Sequence, residues 1–458
     1  METNKNTEIK RKKQNRNYYS SYPKLVALSF FGLIMIGTFF LMLPVSVKTG
    51  NVSFIDAFFT ATSACCVTGL IVFDTFTKWT LFGQIVILCL IQVGGLGFIT
   101  IITMLSRFIK KKVSLREKLL LKESIGSIYT GDTKRLVKIV VSGTVIFELL
   151  GAVILCTQYI PEMGFKNGLF TSVFLSVSAF CNAGFDVMGR IAPGSSLMTV
   201  NNNPVILITI AFLIIIGGIG FIVWEDIAAN KLKFKRYNFY TKLTLSTTAV
   251  LLIGATVVYL IFERNNTLEN MPPTQALLNA FFASTTARTA GFNSIPISEM
   301  SGVSKVLTYI LMLIGGSSAS TAGGIKTVTV AVLFLCITST LRNSKEIEVF
   351  GKRITDDIIR RAAAIFLINC MEVFIASLLI SLFNPEFSYT DILFECFSAI
   401  GTVGMTAGIT SKLALASKII IAAMMFIGRI TSLTFVFSLY FEKNNKDTKK
   451  PKGNLLIG

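Results

Sequence analysis

The stretch AIGTVGMTAGIT, residues 399–410, decides the fold that this sequence predicts. It is rich in Gly, small and hydroxyl residues, yet it lies between two apolar segments. Irregular backbone at bilayer depth is tolerated only where it is buried in protein or lines a watery cavity, because lipid offers no partner for free N–H and C=O groups. The stretch therefore predicts a loop that lines a pore inside a membrane.

Variants of this stretch recur three times upstream: TSACCVTGL at residues 62–70, SAFCNAGFD at residues 178–186 and TARTAGFNS at residues 286–294. The central glycines, Gly69, Gly184, Gly291 and Gly404, are separated by 115, 107 and 113 residues. Each precedes a second Gly motif: VGGLGF at Val93, IGGIGF at Ile216, IGGSSA at Ile314 and IGRITS at Ile427. Two landmarks that recur together in one order predict four internal repeats.

The composition indicates a polytopic membrane protein. The 458 residues are 52% hydrophobic and 15% charged, with a mean hydropathy of +0.66, whereas soluble proteins are about 25% charged. The net charge of +19 falls in short basic runs between apolar spans, at residues 10–13, 110–112, 231–236, 342–361 and from Lys443 onward. Such runs are typical of cytoplasmic loops, with anionic membrane lipid and not nucleic acid as the expected neighbour.

Several chemistries are excluded or unsupported. The chain has no His, which excludes imidazole as a metal ligand or general base. Its eight Cys form no spaced framework that would predict disulfides or a metal site. Phosphate-binding and dinucleotide motifs are missing, so we expect no organic cofactor and no enzyme activity.

Each repeat is predicted to consist of a span, a short apolar helix, a Gly-containing loop and a second span. The short helices, at residues 54–63, 169–179, 274–285 and 389–399, fall below the roughly 20 residues that cross a membrane core. The paired spans are 25–45 with 81–108, 136–159 with 204–227, 242–262 with 306–341, and 362–383 with 419–440. This predicts an all-α membrane protein with four pseudo-repeats around one central pore and eight transmembrane helices.

The predicted boundaries follow from this order. Residues 1–21 and 442–458 form tails, and the repeats occupy residues 22–112, 134–236, 240–342 and 360–441. Basic clusters end each second span, whereas the loops around the short helices carry few Lys or Arg. Both termini are therefore expected to be cytoplasmic, with the Gly-containing loops opening outward.

The four loops are suited to a cation filter. Rings of backbone carbonyls replace the water around a dehydrated cation without a fixed charge. Glycine permits the φ and ψ values that turn a carbonyl inward, and it leaves the axis free. The alternative for a single loop is close helix packing, for which Gly is common in membranes.

In these residues the chain resembles the Trk, Ktr and HKT superfamily of potassium transporters, over about residues 22–440. With eight spans and no extra N-terminal pair, it is most similar to the KtrB-type membrane subunits of bacterial Ktr systems. In that superfamily Gly at all four filter positions goes with potassium preference. The resemblance implies that the filter comprises Val67, Thr68, Gly69, Asn182, Ala183, Gly184, Thr289, Ala290, Gly291, Thr402, Val403 and Gly404.

Residues 315–324, GGSSASTAGG, interrupt an otherwise apolar segment. Their four Gly each cost about 1 kcal/mol in a helix relative to Ala. One interpretation is a close-packing contact. The other, which the resemblance supports, is an intramembrane gate formed by Gly315, Gly316, Ser317, Ser318, Ala319, Ser320, Thr321, Ala322, Gly323 and Gly324.

Arg429 lies deep in an apolar segment, where a charge is costly unless it faces protein or water. It resembles the pore-facing Arg of the superfamily's fourth unit and is expected to act with the gate as an electrostatic barrier. Snorkelling to the membrane interface is the alternative. Six acidic residues lie near or within apolar segments: Asp56, Asp186, Glu148, Glu372, Asp391 and Glu395. Acidic groups at the outer mouth are candidates for cation attraction, with solvated loop charge as the alternative for Asp186 and Asp391. Glu148 and Glu372 are candidates for buried partners of basic residues.

The resemblance also implies partners and a location. These are a cytosolic, nucleotide-binding, KtrA-like regulatory subunit, a second copy of the chain in a homodimer, and the bacterial plasma membrane, in which the chain is multi-pass. The expected transported ion is K⁺, with Na⁺ as a second candidate or a requirement. The competing functions are a sodium-selective or sodium-coupled secondary transporter and a membrane scaffold that transports nothing. Repeats that all start from the basic side argue against the inverted repeats of many secondary transporters.

Overall fold

Apolar helices make up most of the described structure, a computed structural model in which residues 22–97 and 133–430 are described, apart from residues 232 and 345. Large apolar side chains such as Leu149, Val250 and Phe374 are more than half exposed on the outer faces of long helices. An exposed apolar surface of this kind is suited to lipid, which needs no polar partner. The predicted helical class is confirmed.

The first unit contains α1 (Tyr22–Met42), α2 (Phe54–Cys65) and α3 (Leu81–Leu96). The Ser53 hydroxyl begins α2 by accepting a hydrogen bond from the Asp56 backbone N–H at 3.1 Å. Helix α3 ends before Gly97, whose φ of +80° is not helical. The remainder of the predicted span to residue 108, and the basic cluster at 110–112, lie outside the described residues.

The second unit contains α4 (Thr133–Met163), α5 (Phe165–Phe180), α6 (Pro204–Gly218) and α7 (Phe221–Asn230). The segment predicted as one span over residues 204–227 is not one continuous helix, because α6 and α7 meet at a bend of 95°. Gly220 at the bend has a φ of +97°, which a helix cannot continue. The next N–H, that of Phe221, donates to the Ala319 carbonyl of the third unit at 2.7 Å.

The third unit contains α8 (Phe239–Glu263), α9 (Pro273–Thr286), α10 (Gly302–Leu313) and α11 (Thr327–Leu341). The last two helices are separated by the segment 315–324, where the sequence predicts a broken span. The ends of this segment are held together, since the Ile325 N–H donates to the Leu313 carbonyl at 3.2 Å and the Thr327 N–H to the Gly316 carbonyl at 3.1 Å. The segment is therefore a closed loop between two helices.

The fourth unit follows a small hairpin of β1 (Glu348–Val349) and β2 (Lys352–Arg353). It contains α12 (Asp356–Phe383), α13 (Tyr389–Gly401) and α14 (Leu415–Ile430). The Ser388 hydroxyl caps α13 by accepting from the Asp391 N–H at 3.2 Å. Residues 431–440 of the predicted last span lie outside the described residues.

Within the described ranges, three helices are long and apolar enough to cross a membrane: Val137–Met163, Phe239–Glu263 and Asp356–Phe383. The bent pair of α6 and α7 counts as a fourth if it is one span, and shorter apolar helices, such as α3, α10 and α11, have 10–17 residues. A multi-pass membrane protein is consistent with these helices. The count of eight spans stays a prediction.

The core surrounds the C-terminal halves of the four short helices, α2, α5, α9 and α13. At a matching position, each contains a Phe that is at most 1% exposed: Phe59, Phe174, Phe282 and Phe394. These rings lie ten residues before the repeated glycine in three units and nine before it in the third. They anchor the ends of the short helices, and thus the loops that follow, in the interior of the molecule.

Candidate ion filter and gate

The four repeated glycines form a closed ring. A β-carbon added to Gly69 would lie 3.2 Å from the Cα of Gly184, one on Gly184 would lie 3.1 Å from Gly291, and one on Gly291 would lie 3.1 Å from Gly404. The ring closes because a β-carbon on Gly404 would lie 2.8 Å from the Cα of Gly69. Their φ values are +96°, +68°, +79° and +92° in chain order. Both the conformation and the crowding require glycine at these positions.

Backbone oxygens lie beside this ring. The atom nearest to the added β-carbon is in each case the carbonyl oxygen of the residue before the next glycine, namely Ala183, Ala290, Val403 or Thr68. Two residues before each glycine, Val67, Asn182, Thr289 and Thr402 also have positive φ, of +56°, +58°, +73° and +50°. Non-Gly residues in this region are strained by about 1–3 kcal/mol each and tend to cluster at functional sites. The structure thus brings the twelve predicted filter residues together.

The short helices bind the N–H groups of these loops. The N–H groups of Thr68, Ala183 and Val403 donate at 2.8 Å to the carbonyls of Ser63, Ser178 and Ser398, and in the third unit the Ala290 N–H donates at 3.0 Å to Thr286. The Ser63 hydroxyl also accepts a hydrogen bond from the Gly69 N–H, and the Ser398 hydroxyl accepts one from the Gly404 N–H. With the N–H groups used, the loops offer carbonyl acceptors, next to the negative ends of four helix dipoles.

The second Gly motif lets another helix approach the loops. A β-carbon on Gly94, Gly217 or Gly428 would collide with the carbonyl oxygen of Cys65, Phe180 or Ile400, respectively, in its own unit. Each of these carbonyls belongs to the residue four positions before the ring glycine. The motif therefore recurs because small residues are needed where backbone meets backbone.

The loop 315–324 lies against the end of the ring at which the short helices end. The Ser317 N–H donates to the Gly218 carbonyl at 2.9 Å, at the bend of the second unit. The Thr321 hydroxyl lies 3.2 Å from both the Phe180 carbonyl and the Asn182 side-chain amide. Gly323 packs against the Thr402 side chain. These contacts place the loop beneath three of the four units' candidate filter segments, since Gly315 also packs against Thr289.

Arg429 joins this loop to the first unit. Its guanidinium donates to the carbonyls of Thr321, Gly94 and Gly95, the last at 3.0 Å. These contacts are with protein carbonyls near the loop, which the snorkelling interpretation does not predict. The Lys326 ammonium also contacts the loop, donating to the Ala322 carbonyl at 2.8 Å.

The acidic candidates separate into different environments. Asp56 pairs with Lys418 at 2.8 Å and so links the first unit to the fourth. Glu395 is fully buried and accepts hydrogen bonds from the hydroxyls of Thr406 and Thr410 and from the Ala407 N–H. Glu148 accepts from the Gln92 amide at 3.2 Å. The support that Glu395 gives to the fourth loop was not predicted from the sequence, although an acid in the middle of an apolar short helix was a visible signal.

The contacts of Arg288 were also missed. This residue lies inside the third loop, and its Nη2 donates to the Gly315 carbonyl at 3.4 Å. The available signal was an unpaired charge in a stretch of small residues, TARTAGFNS.

Comparison with known proteins identifies a family and several relatives of this chain. The family model described as TrkH, a cation transport protein, matches residues 4–446. The chain is 40% identical over 438 residues to Ktr system potassium uptake protein B of Bacillus subtilis, covering 95% of this chain and 96% of that protein. It is 39% identical over 442 residues to the potassium/sodium uptake protein NtpJ of Enterococcus hirae, covering 95% of this chain and 97% of that protein.

A solved structure shares the fold. The potassium transporter TrkH from Vibrio parahaemolyticus matches with a TM-score of 0.72 over 92% of this chain and 85% of its own, at 18% sequence identity. The family whose model matches residues 4–446 comprises ion transporters and not enzymes, in agreement with the prediction from the sequence. From the family match over nearly the whole chain and the two full-length relatives, the chain belongs to the TrkH family of cation transport proteins.

Proposed function

We propose that this chain takes up potassium ions across the bacterial plasma membrane through a four-loop carbonyl filter. The observation that carries the proposal is the closed ring of Gly69, Gly184, Gly291 and Gly404 with a backbone oxygen beside each glycine. Four uncharged acceptor sets around one axis are suited to replace the hydration shell of a monovalent cation. The Bacillus subtilis relative is named a potassium uptake protein, which supports K⁺ as the transported ion.

Within this proposal the filter ligands are the carbonyls of residues 67–69, 182–184, 289–291 and 402–404. The loop 315–324 is the gate, because it contacts the end of the filter at which the short helices end and has a backbone that no helix constrains. Arg429 holds the gate closed through the Thr321 carbonyl and adds a positive barrier to ion passage.

The proposal includes partners. Ktr systems by name contain more than one protein, and the relative in Bacillus subtilis is their protein B. A KtrA-like cytosolic subunit that binds nucleotide would regulate the gate from the side of the basic segments at residues 231–236 and 342–361. A homodimer with one pore in each copy, and two cytoplasmic termini, complete the proposed arrangement.

A sodium function is the second candidate. The Enterococcus hirae relative is named a potassium/sodium uptake protein, so a sodium-dependent, sodium-selective or sodium-coupled mode is supported by a specific comparison. K⁺ and Na⁺ differ in the size of the hydration shell that the filter carbonyls must replace. Competition between the two ions therefore distinguishes the potassium function from the sodium function.

The deciding experiment is uptake of rubidium, as a potassium analogue, in a bacterium that lacks its own potassium transport. Uptake is measured with and without sodium, and with and without a co-expressed nucleotide-binding subunit. The proposal predicts rubidium uptake that potassium inhibits more strongly than sodium does. Stronger inhibition by sodium favours the second candidate, and no ion uptake under any of the conditions contradicts both.

A further inference from the structure

Arg288 is a positive charge at a position where the other three filter loops have an uncharged residue. It stands three residues before Gly291, where the other units have Cys66, Cys181 and Gly401. Its side chain is 8% exposed. The third unit, which carries this charge, is also the unit that carries the loop 315–324.

The guanidinium is bonded to the start of that loop. Its Nη2 donates to the Gly315 carbonyl at 3.4 Å. Within residues 22–97 and 133–430, Arg288 makes no ion pair with a carboxylate. A buried cation without an acidic partner depends on carbonyl and water acceptors to offset its desolvation, so the Gly315 contact is important for where the side chain rests.

Two consecutive residues of the third filter loop contact Gly315. One contact is made by the Arg288 guanidinium, and the other by the Thr289 methyl group, which lies 3.2 Å from where a β-carbon on Gly315 would be. Arg288 and Thr289 are consecutive in the chain. A displacement of Gly315 must therefore disturb two neighbouring residues of the filter loop.

A small cavity adjoins the guanidinium. It has a volume of about 10 Å³ and is lined by Arg288, Thr248, Thr285 and Gly316, among others. The Nε of Arg288 and the Oγ1 of Thr248 are both buried and lack a hydrogen-bond partner in the described structure. A volume of this size holds about one water molecule, which would accept from Arg288.

We propose that Arg288 is a positioning residue that couples the third filter loop to the loop 315–324, through Gly315 and a single water in this cavity. Opening of the loop then changes the filter, and a change in the filter is transmitted to the loop. For its transport consequences the inference rests on the proposed function. The coupling itself is a property of the folded protein and is measurable without transport.

The first test is hydrogen–deuterium exchange on the purified, detergent-solubilised chain. Arg288→Met removes the donor at similar length, and Arg288→Lys retains a charge with fewer donors. Arg264→Met is the matched control, since Arg264 lies in the same unit and donates to the Leu268 and Met271 carbonyls away from the filter.

We expect peptides that cover residues 313–326 to exchange about tenfold faster in Arg288→Met, as for loss of a hydrogen bond to a charged group. Arg288→Lys should lie between Arg288→Met and the wild type, and Arg264→Met should match the wild type in these peptides. Unchanged exchange in the loop overturns the coupling. A uniform increase across all helices of both Arg288 variants overturns it as well, because a structural role would produce that result.

The second test is a double-mutant cycle of rubidium uptake that combines Arg288→Met with deletion of residues 316–322. If Arg288 acts through the loop, its effect on uptake disappears when the loop is deleted. Additive effects overturn the inference. If the wild-type chain carries no rubidium, the proposed function fails, and the exchange experiment still decides whether the coupling exists.

Discussion

Gly404 of the last unit packs against Gly69 of the first, and a β-carbon on Gly404 would lie 2.8 Å from the Cα of Gly69. We therefore expect Gly404→Ser to push the fourth loop outward and to lower the preference for potassium over sodium by about tenfold, equivalent to about 1.4 kcal/mol. The measurement is competition of each ion with rubidium uptake.

Gly408→Ser is the matched control for this substitution. Gly408 has the same φ of +92°, but an added β-carbon has no neighbour within 4 Å. Backbone strain is thus similar in the two variants, whereas crowding of the ring differs. Equal ion preference in both variants would remove Gly404 from the filter.

Deletion of residues 316–322 should raise rubidium flux several-fold, because it removes the backbone that lies beneath the ring. The smaller change Thr321→Val removes the hydroxyl contact with the Phe180 carbonyl and should give a smaller increase. Initial uptake rates, normalised to the amount of protein in the membrane, measure both effects. Flux at the wild-type level in the deletion variant would rule out a gating role.

Arg429→Ala should raise the maximal rate about tenfold, since it removes hydrogen bonds from a charged group to the Thr321, Gly94 and Gly95 carbonyls. Arg429→Lys should be intermediate, because Lys has fewer donors. Arg360→Ala, at an exposed position on α12, controls for the loss of one positive charge. If the Arg360 variant changes the rate as much as the Arg429 variant, the effect belongs to net charge.

Lys418→Gln should destabilise the chain by about 1–3 kcal/mol, because the partner Asp56 is left partly buried without its cation. The side chains of Lys418 and Asp56 are only 14% and 16% exposed. Thermal unfolding in detergent measures the loss. Asp56→Asn should cost less when Lys418 is already Gln, and simple additivity of the two changes would contradict a direct pair.

Glu395→Gln should weaken ion discrimination and leave the amount of folded protein in the membrane nearly unchanged. An amide offers one acceptor oxygen where the carboxylate of Glu395 receives three donors from residues 406–410. Ion competition of rubidium uptake is the measurement. Glu386→Gln serves as the control, since Glu386 is exposed and its carboxylate accepts from the Asn384 amide. Identical discrimination in both variants would show that the fourth loop keeps its shape without Glu395.

Local pattern was sufficient to predict the short helices and their loops. Apolar segments of about ten residues that end in Gly-containing stretches correspond to α2, α5, α9 and α13, with ends shifted by a few residues. The same reasoning did not predict the bend at Gly220, because glycine inside an apolar run is compatible with a helix and with a bend. The bend depends on a partner, the Ala319 carbonyl, about 100 residues later in the chain, and no local pattern reports such a contact.

Side-chain roles were harder to predict than backbone. Arg429 was identified because a lone cation in a long apolar segment is conspicuous. The charges of Arg288 and Glu395 were visible in the sequence, but their roles depend on the acceptor that the loop 315–324 offers to Arg288 and on the donors of residues 406–410 to Glu395. The second Gly motif was visible as a repeat, but its physical reason, contact with a carbonyl of the same unit, needed three dimensions.

Each ring glycine packs against the next ring glycine in the sequence. The ring is closed by the contact between the last, Gly404, and the first, Gly69. The ring is open on one side until Gly404 has been added to the chain. A nascent chain that stops before residue 404 therefore leaves the carbonyl of Thr68 without its neighbour. The ring of four glycines is therefore completed only by the last of the four units.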